Sequence, residues 1–186
     1  LDELQRDLVL LCFANKSTSI LIATDVAARG LDIDSLDAVV NFHIAREREV
    51  HTHRVGRTGR AGSKGLAMSF FNAQEAHRVA LLDLEIDPIA DAEARPGADY
   101  LEVAAMVPKM STLQIDGGKK QKVRAGDILG ALTGNDGLAG TDVGKIHIFD
   151  NCAYVAVRRK VAGQALQSIT DGKLKGRSFR VRAIKG

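Results

Sequence analysis

The chain has 186 residues, 45% of them apolar, and a formal net charge of +3, which suits one ordinary domain or two small ones and excludes general disorder. No run of 18 apolar residues occurs, so a conventional transmembrane helix is excluded, and Leu1-Asp2-Glu3-Leu4-Gln5-Arg6 lacks the basic and apolar regions of a secretory signal. The two cysteines, Cys12 and Cys152, stand far apart without a CxxC or Cys/His grouping; this argues against a disulfide framework or a metal site and fits a reducing cytoplasm.

In chain order, Gln5 to Phe13 predicts an amphipathic helix, with Leu4, Leu8, Leu11 and Cys12 on one face. The apolar runs Ser19–Thr24, Asp37–Phe42 and Gly65–Phe71 predict strands buried on both sides of a parallel sheet. Helices are expected at Glu49–Val55 and Ala73–Leu84. Alternating strands and helices favour an α/β fold. Pro88, Pro96-Gly97 and a cluster of Asp, Glu and Ala mark residues 88–109 as a linker.

Beyond the linker the rhythm changes. Strands are expected at Ser111–Asp116, Gly144–Phe149, Ala153–Arg158 and Arg177–Ile184, with helices at Ala125–Thr133 and Val161–Thr170 and a basic loop at Gly117–Val123. The order βαββαβ is the split βαβ, or ferredoxin-like, arrangement, so an RRM-like α+β domain is expected after the α/β one. The domain division expected is 1–87, 88–109 and 110–186. Charge follows it: residues 1–108 hold 11 Lys and Arg against 17 Asp and Glu, residues 109–186 hold 15 against 6, so the net +3 divides into −6 and +9. A small domain with that excess is an electrostatic footprint for a polyanion, where a solubilising surface would intersperse both signs.

Two segments carry chemistry: Thr24-Asp25-Val26-Ala27-Ala28-Arg29-Gly30-Leu31-Asp32-Ile33-Asp34 and His53-Arg54-Val55-Gly56-Arg57-Thr58-Gly59-Arg60. Arg57 and Arg60, three residues apart, project to one side of a helical turn, and paired guanidiniums suit the oxygens of a transferring phosphoryl group. Thr24 ends a predicted strand, where open α/β sheets place ligands. For Asp25, an internal bond within the loop and contact with a ligand both remain open.

In sequence and spacing these segments resemble motifs V and VI of DEAD-box RNA helicases. The resemblance implies that the first domain is the second RecA-like lobe, entered just before its motif IVa helix and so without its own first strand. It implies that Arg57 and Arg60 are arginine fingers reaching the γ-phosphate of ATP. It further implies that Asp32 contacts the nucleotide ribose, that Thr24 and Arg29 touch the RNA backbone, and that His53 and Arg54 couple the two lobes. The family also has a Gln-x-x-Arg motif on RNA; Glu3 stands in place of Gln, so Arg6 alone carries over. GxxxxGK[ST] and Asp-Glu-Ala-Asp are both absent from this sequence. ATP with Mg²⁺ is thus expected to bind mainly on the first lobe, and this chain alone is expected not to hydrolyse it.

In the second half Lys119, Lys120, Lys122 and Arg124 form one basic cluster and Arg158-Arg159-Lys160 another, expected to flank the sheet and hold phosphates. Period two puts Cys152, Tyr154, Ala156 and Arg158 on one strand face. Tyr154 is the sole stacking aromatic expected, either a base platform or a half-buried strand tyrosine, with Leu113 or Ile115 at the first-strand aromatic position. So sparse a face favours a shaped RNA over a plain single strand. Ile115-Asp116-Gly117-Gly118-Lys119-Lys120 and Gly126–Gly134 resemble the carboxy-terminal domain of DbpA-type helicases. That implies a monomer that binds a hairpin of large-subunit (23S-type) ribosomal RNA and acts on pre-50S particles, with no membrane partner. A non-catalytic RNA-binding module is the alternative. His43, His51 and His77 are expected on the surface.

Overall fold

The computed structural model describes residues 2–25, 36–59, 62, 64–82, 99, 102–134 and 137–184. Contacts group the chain into two units, Ile22–Ala104 and Leu1–Leu21 with Ala105–Gly186. The grouping follows contacts, so the amino-terminal helix falls with the second half.

In the Ile22–Ala104 unit, β1 (Ala38–Asn41) and β2 (Leu66–Ser69) pair in parallel, Ala38 opposite Leu66 and Asn41 opposite Ser69. Parallel neighbours require a crossover, and helix α2 (Arg48–Val55) lies within it. After β2, Asn72 accepts from the Glu75 N–H (3.1 Å) and starts a 3-10 turn that runs into α3 (Ala76–Leu81). The strand expected at Ser19–Thr24 does not form: residues 20–24 belong to no sheet, and Ile22 is 94% exposed. An apolar run becomes a strand only where a neighbour accepts its ladder, and the described partner of β1 is β2 alone.

The other unit holds β3 (Met110–Ile115), α4 (Ala125–Thr133), β4 (Val143–Ile148), β5 (Ala153–Arg158), α5 (Ala162–Asp171) and β6 (Val181–Ala183). The sheet is antiparallel in the order β4-β5-β3-β6, with the first and third strands of the unit central, as βαββαβ requires. One face is sealed by both helices: Leu113, Ile115, Val155 and Val157 meet Ile128, Leu132, Ala165 and Ile169, all essentially without solvent contact. Each large aliphatic side chain buried this way stabilises the fold by about 1.5–3 kcal/mol. Leu113 and Ile115 therefore serve the core, and the expectation that one of them occupies the stacking position is corrected. With Leu113 opposite Val155, pleat alternation turns Thr112 and Gln114 to the opposite face. The last strand is shorter than expected because residues 174–177 close a turn of their own, bridging Leu174 to Arg177 through Lys175 and Gly176 at positive φ.

Helix α1 (Glu3–Ala14) begins with a capping box, Asp2 accepting from the Gln5 N–H at 2.7 Å. Of the face predicted for it only Cys12 is buried; Leu4 is 80% exposed. The following turn lies on the second face of the sheet. Asn15 Nδ2 donates to Thr112 Oγ1 (3.2 Å), the Ser17 and Thr112 hydroxyls bond at 2.7 Å, and Ser17 Oγ donates to the Cys12 carbonyl (2.9 Å). A His147 ring N–H donates to Asn15 Oδ1 at 3.1 Å. Thr112, Asn15 and Ser17 are all buried, so each relies on this network for its polar atoms. Thr112→Val keeps the volume and removes the shared hydroxyl, leaving two buried groups short of a partner. A loss of about 1–3 kcal/mol is expected in denaturant unfolding, and an unchanged midpoint contradicts the network.

Candidate nucleic-acid interface

In the Ile22–Ala104 unit the described motif residues gather around Arg54. Its guanidinium grips Asp25 in bidentate fashion, Nε to Oδ1 at 2.6 Å and a terminal nitrogen to Oδ2 at 2.7 Å. The other terminal nitrogen donates to the His43 carbonyl (2.8 Å) and Asn41 Oδ1 (3.3 Å). One side chain of α2 thus fastens the start of motif V to the loop after β1. Forked, charge-assisted bonds are the strong kind, and the bond to Asp25 pushes the Arg54 pKa above its ordinary value. For Asp25, the internal role is the one observed.

Around this clasp, Thr24 and His53 are exposed, and Arg57 is half-buried just past α2. The turn that presents Arg57 is fixed at both ends. Gly56 closes the helix where an added Cβ would meet the Thr52 carbonyl at 2.8 Å, and the Arg57 carbonyl accepts from the Leu36 N–H at 2.8 Å. Arg29, Asp32 and Arg60 lie outside the described residues, so the expected pairing of Arg57 with Arg60 has no geometry here. In the other unit, Arg6 sits exposed on α1, 3.7 Å from Glu3 and 4.0 Å from Asp7. Such surface pairs hold a side chain only weakly and leave it able to exchange partners.

The surface expected for His51 is corrected: it is 7% exposed, and its Nδ1 has no hydrogen-bond partner among the described residues. It lies three residues before Arg54, on the helix face that looks toward the sheet. Burial, and then the Arg54 charge, push its pKa below the ordinary 6.5. His147 is likewise pushed down, by burial and then by Lys145. Both hold a proton less readily folded than unfolded, so below pH 6.5 the unfolded chain binds more protons. Their contribution to stability is fully present above pH 6.5 and is lost as pH falls through that value toward the depressed folded pKa values. Melting curves above and below pH 6.5 check this, and His147→Gln, which keeps a donor for Asn15, is expected to lessen the loss.

The basic loop follows β3. Lys119–Gln121 form a single 3-10 turn, and Lys122 adopts a left-handed conformation at φ 61° before Arg124 caps α4 by donating its N–H to Asp127 (2.8 Å). Lys119, Lys120, Lys122 and Arg124 are exposed and form no ion pair with a described residue. Arg158, at the opposite end of the sheet, differs: Asp142 meets its Nε at 3.2 Å and also holds Lys160 at 3.8 Å. Both clusters flank the sheet, but the lysine loop is the less neutralised one.

Tyr154 lies on the second face, half-buried, with its pKa pushed up to about 12, first by burial and then by Cys152. Phe149 meets it edge to face, ring centroids 5.8 Å apart. Sequence reasoning passed over Phe149, although period two along β4 places it on the same face as His147. Among the described residues no group of His, Cys, Asp and Glu suited to a metal occurs, and no helix of theirs is long and apolar enough to cross a membrane.

The comparisons with known proteins agree with this arrangement. The DbpA RNA binding domain family model matches residues 112–183, and the helicase conserved C-terminal domain matches residues 1–62. Over 185 residues the chain is 49% identical to the ATP-dependent RNA helicase DbpA of Escherichia coli (strain K12), covering 100% of this chain and 40% of that protein. It is 35% identical over 181 residues to the ATP-dependent RNA helicase DbpA of Bacillus subtilis (strain 168), covering 87% of this chain and 38% of that one. The chain spans about two fifths of the length of these curated relatives. A helicase carboxy-terminal segment joined to a DbpA RNA-binding domain identifies the chain as a member of the DbpA-type DEAD-box helicases, matching their carboxy-terminal region.

Proposed function

We propose that the chain is the second lobe and targeting domain of an ATP-dependent RNA helicase that remodels RNA locally during large ribosomal-subunit assembly. The clasp of Arg54 on Asp25, Asn41 and His43 is the observation that carries this reading. It fixes motif VI against motif V and so holds the Arg57 turn in one place before any partner arrives.

The donor set fits the phosphate end of a nucleotide. Arg57 supplies positive charge from a turn held at both ends, and the resemblance adds Arg60 as a second guanidinium and Asp32 as an acceptor for a ribose hydroxyl. Bound ATP supplies a transferable phosphoryl group, while Mg²⁺ and most of the nucleotide belong to the first RecA-like lobe. The residues of this chain act on charge and position. Arg57 and Arg60 would neutralise the non-bridging oxygens of the γ-phosphoryl group as the bond from its phosphorus to the β–γ bridging oxygen breaks, water supplying the new P–O bond and ADP leaving. His53 and Arg54 carry closure of the lobes to Thr24, Arg29 and Arg6, which hold the RNA sugar-phosphate backbone. Without the first lobe these arginines have no phosphate to act on, and the chain alone turns over no ATP.

The +9 tail holds a structured hairpin of large-subunit ribosomal RNA through Lys119, Lys120, Lys122 and Arg124, with Arg158 and Tyr154 in support. Tethering raises the concentration of the core near adjacent helices without new core contacts. The protein works as a cytoplasmic monomer on pre-50S particles. Hairpin affinity measured against the same hairpin in DNA, at one stated salt concentration, tests the choice of RNA: a clear RNA preference is expected, and equal binding contradicts it.

A further inference from the structure

The second face of the four-stranded sheet is divided in two. At one end the turn after α1 covers Thr112 and bonds His147, and nothing can stack there without displacing the Asn15–Ser17 network. Beyond that cover stands Phe149, edge to face with the half-buried Tyr154. His147 is opposite Tyr154 in the ladder, and the Phe149 N–H donates to the Cys152 carbonyl at 2.8 Å, which holds Phe149 just past the end of β4. Phe149 is 47% exposed and lies outside the core cluster.

The basic loop is attached to this same residue. The Lys119 N–H donates to the Phe149 carbonyl at 2.8 Å and the Lys120 N–H to the Asp150 carbonyl at 2.9 Å. So close an approach requires Gly118, because an added Cβ would collide with the Phe149 carbonyl. An exposed ring is thereby held beside the backbone of two lysines whose ammonium groups form no ion pair with a described residue. That offers a π-face to an aromatic heterocycle and cations to the phosphate beside it. An apolar protein partner would gain nothing from the lysines, and with residues 109–186 at +9 the polyanion is favoured.

We propose that Phe149, with Lys119 and Lys120, forms a stacking subsite for one unpaired nucleobase and its adjoining phosphate. The subsite rests on the reading of the tail as RNA-binding and adds to it a preference for an unpaired base next to a structured element. The full chain is titrated at constant salt with two RNA probes: a hairpin with 2-aminopurine in an unpaired flank, and a blunt duplex of equal charge. Phe149→Leu is expected to weaken hairpin binding roughly tenfold and to abolish the stacking quench, with duplex affinity unchanged. Phe149→Tyr keeps both signals, which separates stacking from a folding defect. Lys119→Glu with Lys120→Glu weakens both probes. If Phe149→Leu binds both probes like the parent, or weakens both equally, the subsite is overturned while the RNA reading stands. If the parent chain binds neither probe, both fall.

Discussion

Arg57→Ala, in a protein joining this chain to a DEAD-box first lobe, is expected to lower RNA-stimulated ATP hydrolysis by about 10³-fold or more. Loss of phosphoryl bonding in the transition state leaves charge on oxygens that water solvates poorly in a closed cleft, so a fixed guanidinium is worth more there than in solvent. The Arg57 turn is already held by the Arg57–Leu36 backbone bond and the helix end at Gly56, so no ordering cost is added at the moment of reaction. Arg57→Lys is expected to recover little, since an ammonium lacks the planar fork. RNA affinity without nucleotide should stay near the parent value, which separates a chemical defect from a binding one. A variant with full turnover would mean that the arginine is structural and would favour the non-catalytic module. Arg54→Ala acts differently. It leaves Asp25, Asn41 and the His43 carbonyl without their shared donor, so reduced turnover should come with a lower melting temperature.

Reversing Lys119, Lys120 and Lys122 to Glu in the full chain is expected to weaken hairpin RNA binding by about 100-fold or more at moderate salt. Each neutralised phosphate contributes about 0.9 to the slope of log affinity against log salt. Loss of three contacts should therefore flatten that slope as well as lower affinity. The three lysines are exposed and form no ion pair with a described residue, so the fold has no need of their charge. Arg158→Glu should cost less, because Asp142 already meets part of that charge. If the triple variant binds like the parent with an unchanged slope, the loop is not the recognition element.

The second domain was legible almost strand by strand because its signals are local and redundant. Alternating apolar residues at Leu113, Ile115, Val155 and Val157 leave one register that buries them all, and glycines bound the elements. A slip of one residue was still enough to misplace the stacking position, since Leu113 and Ile115 read as outward until the partner strand fixes the pleat. Phe149 was missed although it ended the expected strand Gly144–Phe149, because what singles it out is its contact with Tyr154 and with the backbone of Lys119, neither of which alternation shows. The turn after α1 was not legible at all. Asn15, Ser17 and Thr112 are ordinary polar residues in sequence, and only a contact across nearly a hundred residues makes them a buried network. In the first domain the clasp did not show, because Asp25 was left open between an internal bond and a ligand and Arg54 was read as coupling the lobes, the two lying 29 residues apart. Ser19–Thr24 failed for want of a neighbour, which composition cannot supply.

One measurement bears most directly on the account of a helicase lobe carried by a hairpin-binding tail. ATP turnover by the joined protein is followed against two RNAs of equal length from the large ribosomal subunit, one with its hairpin intact and one with the hairpin melted by substitution. Half-maximal stimulation is expected at a far lower concentration of the hairpin RNA, and the advantage should vanish when Lys119, Lys120 and Lys122 are reversed. Equal stimulation by both RNAs, before and after that reversal, would contradict it.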